Sequence, residues 1–346
     1  MKHLVFALTL LTICSTQAAG QGLDKAALAR GVIAGHIAPG YAQLAEATAN
    51  LRQKIDAACN GQETLTGPDV QGAYTSALAA WMRVQHIRFG PAMAEDRFYS
   101  FQFWPDKHGQ AAKQIRRRLS GPIDKIPDKD QIGRGSVALQ GFPALERLIF
   151  DSKANTPEQR LKACKLATSI GFNLARMAKE TAADWQSYAP KEPSEVLNAV
   201  VRNMMEQLQI ITDLKLGRPL GKSLEGARPR RAESWRSRSS LENIKANLQS
   251  LSDLLAGSGK HPGLASVLPN EGETLGMRDA IVEQLAYGIG RIEQQPGSLH
   301  DAVSTQKERE AILFLVAHID GLRQLLFEQL APALDVNLGF NSQDGD

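Results

Sequence analysis

The segment Leu139–Leu148 has the residue types best suited to chemistry, because a glycine, a proline and a glutamate follow one another closely there. Gly141 permits a sharp break in the backbone. Pro143 suits the first position of a helix, since its missing N–H would be unpaired there in any case. Glu146 would then lie in the first helical turn, with its carboxylate near the positive helix end. The spacing favours a structural role, in which the carboxylate stabilises the positive end of the helix. The alternative is that the carboxylate binds a ligand.

The common catalytic motifs do not occur in this sequence. It has no His-Glu-x-x-His, Gly-x-Ser-x-Gly or Gly-x-Gly-x-x-Gly pattern. No two of the seven histidines stand three or four residues apart, so a multi-histidine metal site would need residues distant in sequence. Gly217–Ser223 suggests a phosphate-binding loop, but three residues separate its glycines where four are needed, and no strand precedes it. We therefore do not expect nucleotide binding.

Two tryptophan-bearing segments could form a cleft around Glu146. Trp81, Gln85 and Arg88 share one helical face, with His86 beside them. The alternative is that Trp81 is a core anchor and Arg88 a paired surface charge. Trp104 follows the next break in the helical pattern and could line the same cleft.

A basic cluster at Arg228–Arg238 contains five arginines together with Trp235. A solvated loop is the ordinary interpretation of such a cluster. The sharper alternative is a site for an anion or an acidic partner.

Length and composition place these segments in an ordinary folded chain. Its 346 residues favour two domains, because domains usually hold about 100–200 residues. Hydrophobic residues at 43% and charged residues at 22% exclude wholesale disorder. Aromatic residues are sparse at 6%, which favours helices packed through aliphatic side chains. The 40 basic and 37 acidic residues leave a net charge of +3, which gives no reason to expect nucleic acid as a partner.

The N-terminus is typical of a secretory signal peptide. A cationic start precedes an apolar run that ends at Ile13, and small residues follow as far as Ala19. The run is shorter than the roughly 20 apolar residues that span a bilayer. We predict a signal peptide over residues 1–19 and a periplasmic location. Lipidation at Cys14 is an alternative, disfavoured because the bulky Ile13 stands where a small residue is wanted.

Cys59 and Cys164 remain once the leader is removed. In an oxidising compartment a pair of this kind favours a disulfide. Two unrelated buried thiols are the alternative.

Helical periodicity dominates the mature chain and must position these residues. Long amphipathic helices are predicted to about Ala58, over 69–89 and from Thr156 to Tyr188, with shorter ones over 107–119 and 131–141. Residues 189–193 resemble a linker, and helices follow at about 195–215, 238–256, 273–295 and 306–330. We predict an all-α fold of two antiparallel bundles of about four helices each, over residues 20–190 and 191–346, with a cleft between them.

Several blocks of this sequence resemble the imelysin family. Gly141–Glu146 resembles the family's Gly-x-His-x-x-Glu motif, with Pro143 in place of the histidine. Gly339–Asp346 resembles its C-terminal Gly-Phe-Asn-x-x-Asp-Gly-Asp. Glu233–Ser237 and Trp81–Pro91 are also similar to family blocks, so the resemblance spans nearly the whole mature chain.

The resemblance implies an exported protein of two helical bundles, with a site where they meet and a link to bacterial iron uptake. Some members are called insulin-cleaving metallopeptidases, with the motif's histidine and glutamate proposed as metal ligands. Proline has no lone pair to offer a metal, so this pair cannot form at the motif here. A metal site would need another side chain, such as His86.

These considerations predict a non-catalytic component of periplasmic iron uptake, which binds a ligand or partner in the cleft. Glu146 would supply negative charge there, alone or with Asp344 and Asp346 as ligands of iron or another divalent cation. A frayed acidic tail is the alternative for the two aspartates. The predicted cleft residues are Trp81, Gln85, His86, Arg88, Trp104, Gly141, Pro143, Glu146, Glu233, Ser234, Trp235 and Arg236.

Two other functions stay open at this point. One is a metallopeptidase with a divergent metal site, and the other is a scaffold for envelope proteins, which predicts no polar cleft. Partners would be iron-uptake or other envelope proteins, and the oligomeric state is left open.

Overall fold

The computed structural model describes residues 24–61, 64–151, 154–268 and 275–336. The chain is all-α, as the sequence predicts, apart from one short hairpin. The predicted signal peptide, Cys14 and the two tail aspartates, Asp344 and Asp346, lie outside these ranges.

Over its described residues, the first half of the chain folds into seven helices, joined by loops, one π turn and short 3₁₀ turns. They are α1 (Lys25–Val32), α2 (Ala38–Cys59), α3 (Pro68–Val84), α4 (Arg97–Phe101), α5 (Gln110–Ser120), α6 (Phe142–Phe150) and α7 (Pro157–Gln186). A π-helical turn, Ile33–Ile37, joins α1 to α2 without a break. This turn lies just before Pro39, where the missing N–H disturbs the regular ladder, so the predicted kink appears as a local π turn.

The second half is also mainly helical, with one short hairpin. Its elements are α8 (Pro193–Gln209), a π-helical segment (Ile210–Gly217), α9 (Arg218–Leu220), α10 (Ser240–Ala256), β1 (Gly257–Ser258), β2 (His261–Pro262), α11 (Leu275–Glu293), α12 (Leu299–Ala302), α13 (Gln306–Leu325), a π turn (Leu326–Leu330) and α14 (Ala331–Ala333). The two strands pair antiparallel.

The helices of the first half pack around α2. Its buried face repeats at three- and four-residue steps through Tyr41, Leu44, Thr48, Leu51 and Ile55, which is the pattern of a helix that buries one stripe. This stripe packs against α3 and α7. A disulfide between Cys59, the last residue of α2, and Cys164 in α7 ties the two long helices together, so the predicted pairing is confirmed.

The predicted linker is a loop between α7 and α8, but helices pack across it. The N-terminal helix α1 lies against α8, and α3 lies against α10. The division into bundles at residue 190 therefore stays a prediction, while contacts between the two halves of the chain are extensive.

The predicted helix over 131–141 is wrong. The segment forms only two 3₁₀ turns, Ile132–Arg134 and Val137–Leu139. Gly133 and Gly135 lose more backbone freedom in a helix than other residues do. In addition, the Gln140 side-chain amide donates to the carbonyl of Gly135 at 2.8 Å, which stabilises the irregular path.

No helix in the described ranges combines the length and the apolar character that crossing a membrane requires.

Candidate ligand-binding cleft

A cavity of about 530 Å³ lies where the two halves of the chain meet. Its walls come from the segment 102–107 after α4, from the start of α6 and from the loop 230–236 before α10. Pockets of about 300–1,000 Å³ are typical for small-molecule ligands. The structure thus has a polar cleft of the kind that a pure scaffold would lack.

Glu146 lies at the wall of this cleft, with its carboxylate bound to the facing loop. It is only 4% exposed. Its Oε1 accepts the backbone N–H of Arg236 at 3.1 Å, the backbone N–H of Ser237 at 2.9 Å and the Ser237 hydroxyl at 2.9 Å. Oε2 lies 3.9 Å from the Arg236 guanidinium. Burial raises the pKa of Glu146, and the Ser237 and Arg236 contacts oppose that rise.

The position of Glu146 in α6 corrects the first-turn prediction. The helix starts at Phe142, so Pro143 occupies its second position and Glu146 lies beyond the first turn. The carboxylate therefore makes its hydrogen bonds with the loop of the other half, not with its own helix end.

Gly141 is needed for close packing. An added Cβ there would lie 2.2 Å from the carbonyl oxygen of Phe101 and 2.5 Å from that of Ser100. Its φ of −119° is open to any residue. The glycine thus lets the start of α6 touch the end of α4, which fixes one wall of the cleft.

The loop that binds Glu146 is a compact turn with unusual backbone angles. Ser234 and Arg238 both adopt positive φ, at 53° and 57°. Such angles persist in non-glycine residues only where surrounding contacts hold them. Here the N–H of Ser239 donates to the Ser234 carbonyl at 3.2 Å, and Glu146 binds the N–H groups between them.

Arginine side chains cover Trp235 within this turn. The guanidinium of Arg236 lies 4.1 Å from the Trp235 ring centroid, and that of Arg230 lies 5.5 Å away. Arg236 also pairs with Asp151 at 3.0 Å. Cation–π contact and the ion pair hold Arg236 in one orientation at the cleft wall.

A second buried acid, Glu233, closes the floor of the cleft. It is 2% exposed and pairs with Lys215, which is 1% exposed, at 2.9 Å. Glu233 also accepts hydrogen bonds from the side chains of Gln102 at 2.9 Å and Asn243 at 3.1 Å. Burial lowers the pKa of Lys215, and the carboxylate of Glu233 opposes that change.

Hydrogen bonds extend from this ion pair into the first half of the chain. Lys215 donates to the side-chain oxygens of Gln85 at 2.8 Å and Asn247 at 2.7 Å. Gln102 accepts hydrogen bonds from Trp81 and, at 2.7 Å, from Gln85. The result is one buried polar network that connects both halves beneath the cleft.

The structure brings together about half of the predicted cleft residues. Those that line the cavity are Trp104, Pro143, Glu146, Glu233, Ser234, Trp235 and Arg236. Trp81 and Gln85 lie below it in the buried network, and Gly141 packs behind the wall.

Arg88 and His86 lie away from the cavity lining. Arg88 forms an ion pair with Glu206 and donates to Gln207 at 3.3 Å. His86 is fully buried, and its Nε2 lies 3.2 Å from the Nε2 of His36. Trp81, with no exposed surface, stacks on Phe101. The packing therefore matches the alternative interpretation, in which Trp81 is a core anchor and Arg88 is a paired charge.

The family's His/Glu metal pair does not fit the residues at this motif. Pro143 supplies no ligand atom, and Glu146 Oε1 already accepts three hydrogen bonds. Across the described ranges, no three His, Cys, Asp or Glu side chains come together in a way that could hold a metal ion.

Sequence reasoning missed several residues of the site. Lys215 and Gln102 are central to the floor, and Lys107 and Arg218 line the wall. Lys215 follows Leu208 and Ile211 at helical spacing on the buried face, and a lysine at such a position is the signal that would have indicated a buried charge.

The fold and the site define an all-helical protein with a charged cleft between the two halves of its chain. The Imelysin family model matches residues 37–327, and the chain therefore belongs to the imelysin family.

Solved structures share the fold. An imelysin-like protein from Psychrobacter arcticum superposes with a TM-score of 0.77 at 19% identity, covering 91% of this chain and 97% of that one. An iron-regulated protein A precursor from Parabacteroides distasonis superposes with a TM-score of 0.69 at 13% identity, covering 88% and 95%. Among curated proteins, none matches the chain.

Proposed function

We propose that this protein is an exported, non-catalytic binding component of bacterial iron uptake, which holds its ligand in the cleft between the two halves of the chain. The binding residues are those of the cavity wall, with Trp104, Trp235 and Arg236 shaping and orienting the ligand.

One observation carries the choice of binding over hydrolysis. The only carboxylate of the family motif, Glu146, uses Oε1 to hold the loop at Arg236 and Ser237. A general base or metal ligand needs a free lone pair directed at its substrate or metal. Only Oε2, which lies 3.9 Å from the Arg236 guanidinium, is left for a metal or a substrate, and the motif supplies no imidazole beside it. The hydrogen bonds of Oε1 fasten one cleft wall to the other, which suits a binding site of fixed shape.

Export and the link to iron rest on separate grounds. The leader-like residues 1–19 and the disulfide between Cys59 and Cys164 favour an oxidising compartment such as the periplasm. Family membership and the structural likeness to a protein named as iron-regulated support the link to iron.

Metal analysis and a binding assay test this function. The mature chain purified from periplasm would be equilibrated with ferrous iron, ferric iron and ferric chelates, and then assayed for retained iron. We expect retention of a ferric chelate and, since a ligand set is lacking in the described part of the cleft, little retention of the bare ions. Trp235→Ala is expected to weaken chelate retention, whereas Tyr287→Ala, on an exposed site of α11, is expected to leave it unchanged.

A peptidase assay of the same preparation tests the alternative. We expect no cleavage of insulin B chain with or without added divalent metal. Metal-dependent cleavage that Glu146→Gln abolishes would contradict the proposal, as would failure to retain any iron species.

A further inference from the structure

The acids that line the cleft are all engaged by the protein itself. Glu146 accepts the donors of the 236–237 turn, and Glu233 pairs with Lys215. Asp106 accepts the backbone N–H groups of Gln110 at 2.8 Å and Ala111 at 2.9 Å, which caps α5. These contacts use acceptor positions for which a cationic ligand would have to compete.

Most of the cationic side chains that line the same cavity have no carboxylate partner among the described residues. Six line it, against three acids. Arg147 and Arg236 share Asp151, at 3.9 and 3.0 Å. The other four pair with no carboxylate within the described ranges, and they are Lys107, Arg218, Arg230 and Arg231.

These charges line one cavity, so they act jointly on a ligand inside it. A cleft lined by one sign of charge focuses the field and concentrates ions of opposite sign. Guanidinium groups bind carboxylate and phosphate oxygens through paired hydrogen bonds, which a lone ammonium does not. The guanidinium groups of Arg230 and Arg236 both lie over the Trp235 ring, so part of the cationic lining is ordered in advance.

We propose that the cleft recognises a small polyanion, a molecule with two or more carboxylate or phosphate groups, and that the iron cargo enters as a chelate of this charge. The choice of iron rests on the proposed function, and the choice of an anion rests on the charges of the cleft. The volume of about 530 Å³ suits a small molecule better than a polymer. This reverses the expectation that Glu146 would attract a cation.

Titration of the mature chain with defined anions tests the proposal. The probes are citrate, ferric citrate and pyrophosphate, followed by calorimetry and by the fluorescence of the cleft residues Trp104 and Trp235. We expect binding that weakens as salt rises, because the recognition is electrostatic. The citrate and pyrophosphate arms identify which oxyanion the arginines prefer.

A variant of the cavity wall and a control variant outside it locate the site. Arg218→Gln combined with Arg231→Gln removes two unpaired cations of the cavity lining and should weaken ferric citrate binding at least tenfold, since each arginine would donate charge-assisted hydrogen bonds to the anion. Arg30→Gln, at an exposed position of α1 outside the cavity lining, should change it less than about twofold. Circular dichroism checks that each variant folds.

The outcomes separate this proposal from the proposed function. Equal binding by the double variant and the unmodified chain, or no binding of any anion, would overturn the polyanion site. Tighter binding of a cationic ferric trihydroxamate than of ferric citrate would also overturn it, while leaving a role in iron uptake intact. Binding of citrate or pyrophosphate without retention of any iron species would uphold the anion site and contradict the role in iron uptake.

Discussion

At the scale of single residues, Glu146 connects α6 to the facing loop. Replacement by alanine would leave the N–H groups of Arg236 and Ser237 without an acceptor. Each unsatisfied buried donor costs about 1–3 kcal/mol, so Glu146→Ala should lower the free energy of unfolding by about 3 kcal/mol. Glutamine keeps the accepting oxygen, and burial already disfavours the charged form, so Glu146→Gln should lose about 1 kcal/mol.

Urea unfolding of both variants measures these differences. Glu46→Gln, at an exposed site on α2, is the matched control and should stay within about 0.5 kcal/mol of the unmodified chain. If glutamine were as damaging as alanine at position 146, the carboxylate charge and not its hydrogen bonds would hold the loop.

His36 makes the fold sensitive to acid. Burial lowers its pKa from 6.5 to about 4, with Asp253 opposing and Arg83 assisting that change. The unfolded chain therefore binds a proton in a range where the native state does not, and stability present above pH 6.5 is lost as the pH falls towards 4. A difference of this size corresponds to about 3 kcal/mol. His86, whose pKa burial and His36 hold well below its usual value, adds to the effect.

Unfolding free energies measured from pH 7 to pH 4 test this pH dependence. His36→Gln should flatten the curve relative to the unmodified chain, because the group that titrates is gone. His108→Asn, an exposed histidine, should leave the slope unchanged. An unchanged slope in His36→Gln, or a His36 titration near pH 6.5 by NMR, would contradict the burial argument.

The sequence predicts the site residues that stand in recognisable blocks and misses those that long-range packing brings in. Trp235 and Arg236 are predicted because an arginine cluster around a tryptophan is visible locally. The pair of Lys215 and Glu233 is not, since 18 positions separate the two and their encounter depends on how the π segment meets the loop. His36 and His86 meet for the same kind of reason, 50 positions apart.

At the scale of elements, the disulfide fastens α2 to α7. Its cysteines are 105 positions apart, and closing a loop of that length stabilises a fold by about 4–5 kcal/mol in the chain-entropy model. Complete reduction should therefore lower the unfolding free energy by about that amount. Urea unfolding with and without dithiothreitol measures it, with thiol alkylation to confirm reduction.

The double variant Cys59→Ala/Cys164→Ala is the control for this prediction. It should resemble the reduced chain and show no further response to dithiothreitol. A reduced chain as stable as the oxidised one would show that the packing of α2 on α7 alone fixes their positions.

Long helices are predictable here because each one buries a single apolar stripe, as α2 does. The helix boundaries differ from the prediction where the backbone changes from an α-helix to another helix type. The predicted helix 195–215 is observed as α8 followed by a π-helical segment, and Lys215 is buried within that segment. A periodicity of 3.6 residues carries no signal for such a change of pitch.

At the scale of the whole molecule, the buried network makes the two halves depend on each other. Lys215, from the second half, donates to Gln85 of the first, and Gln102 of the first half donates to Glu233 of the second. Removing one member of a buried ion pair leaves an uncompensated charge and costs about 3–5 kcal/mol. We therefore expect Lys215→Met and Glu233→Gln each to lower the unfolding free energy by roughly that amount.

The double variant Lys215→Met/Glu233→Gln should be much less damaging than the sum of the two single changes, because it buries no unpaired charge. A double-mutant cycle measured by urea unfolding is expected to give a coupling of at least about 2 kcal/mol. Lys245→Met combined with Glu242→Gln, a solvent-facing pair on α10, is the control and should show less than about 1 kcal/mol.

Since Trp81 and Trp185 lie in the first half and Trp235 in the second, fluorescence and far-ultraviolet dichroism should report a single transition in the unmodified chain. Additive effects at Lys215 and Glu233, with two separate transitions, would mean that the halves fold independently and that the cleft walls are free to move apart.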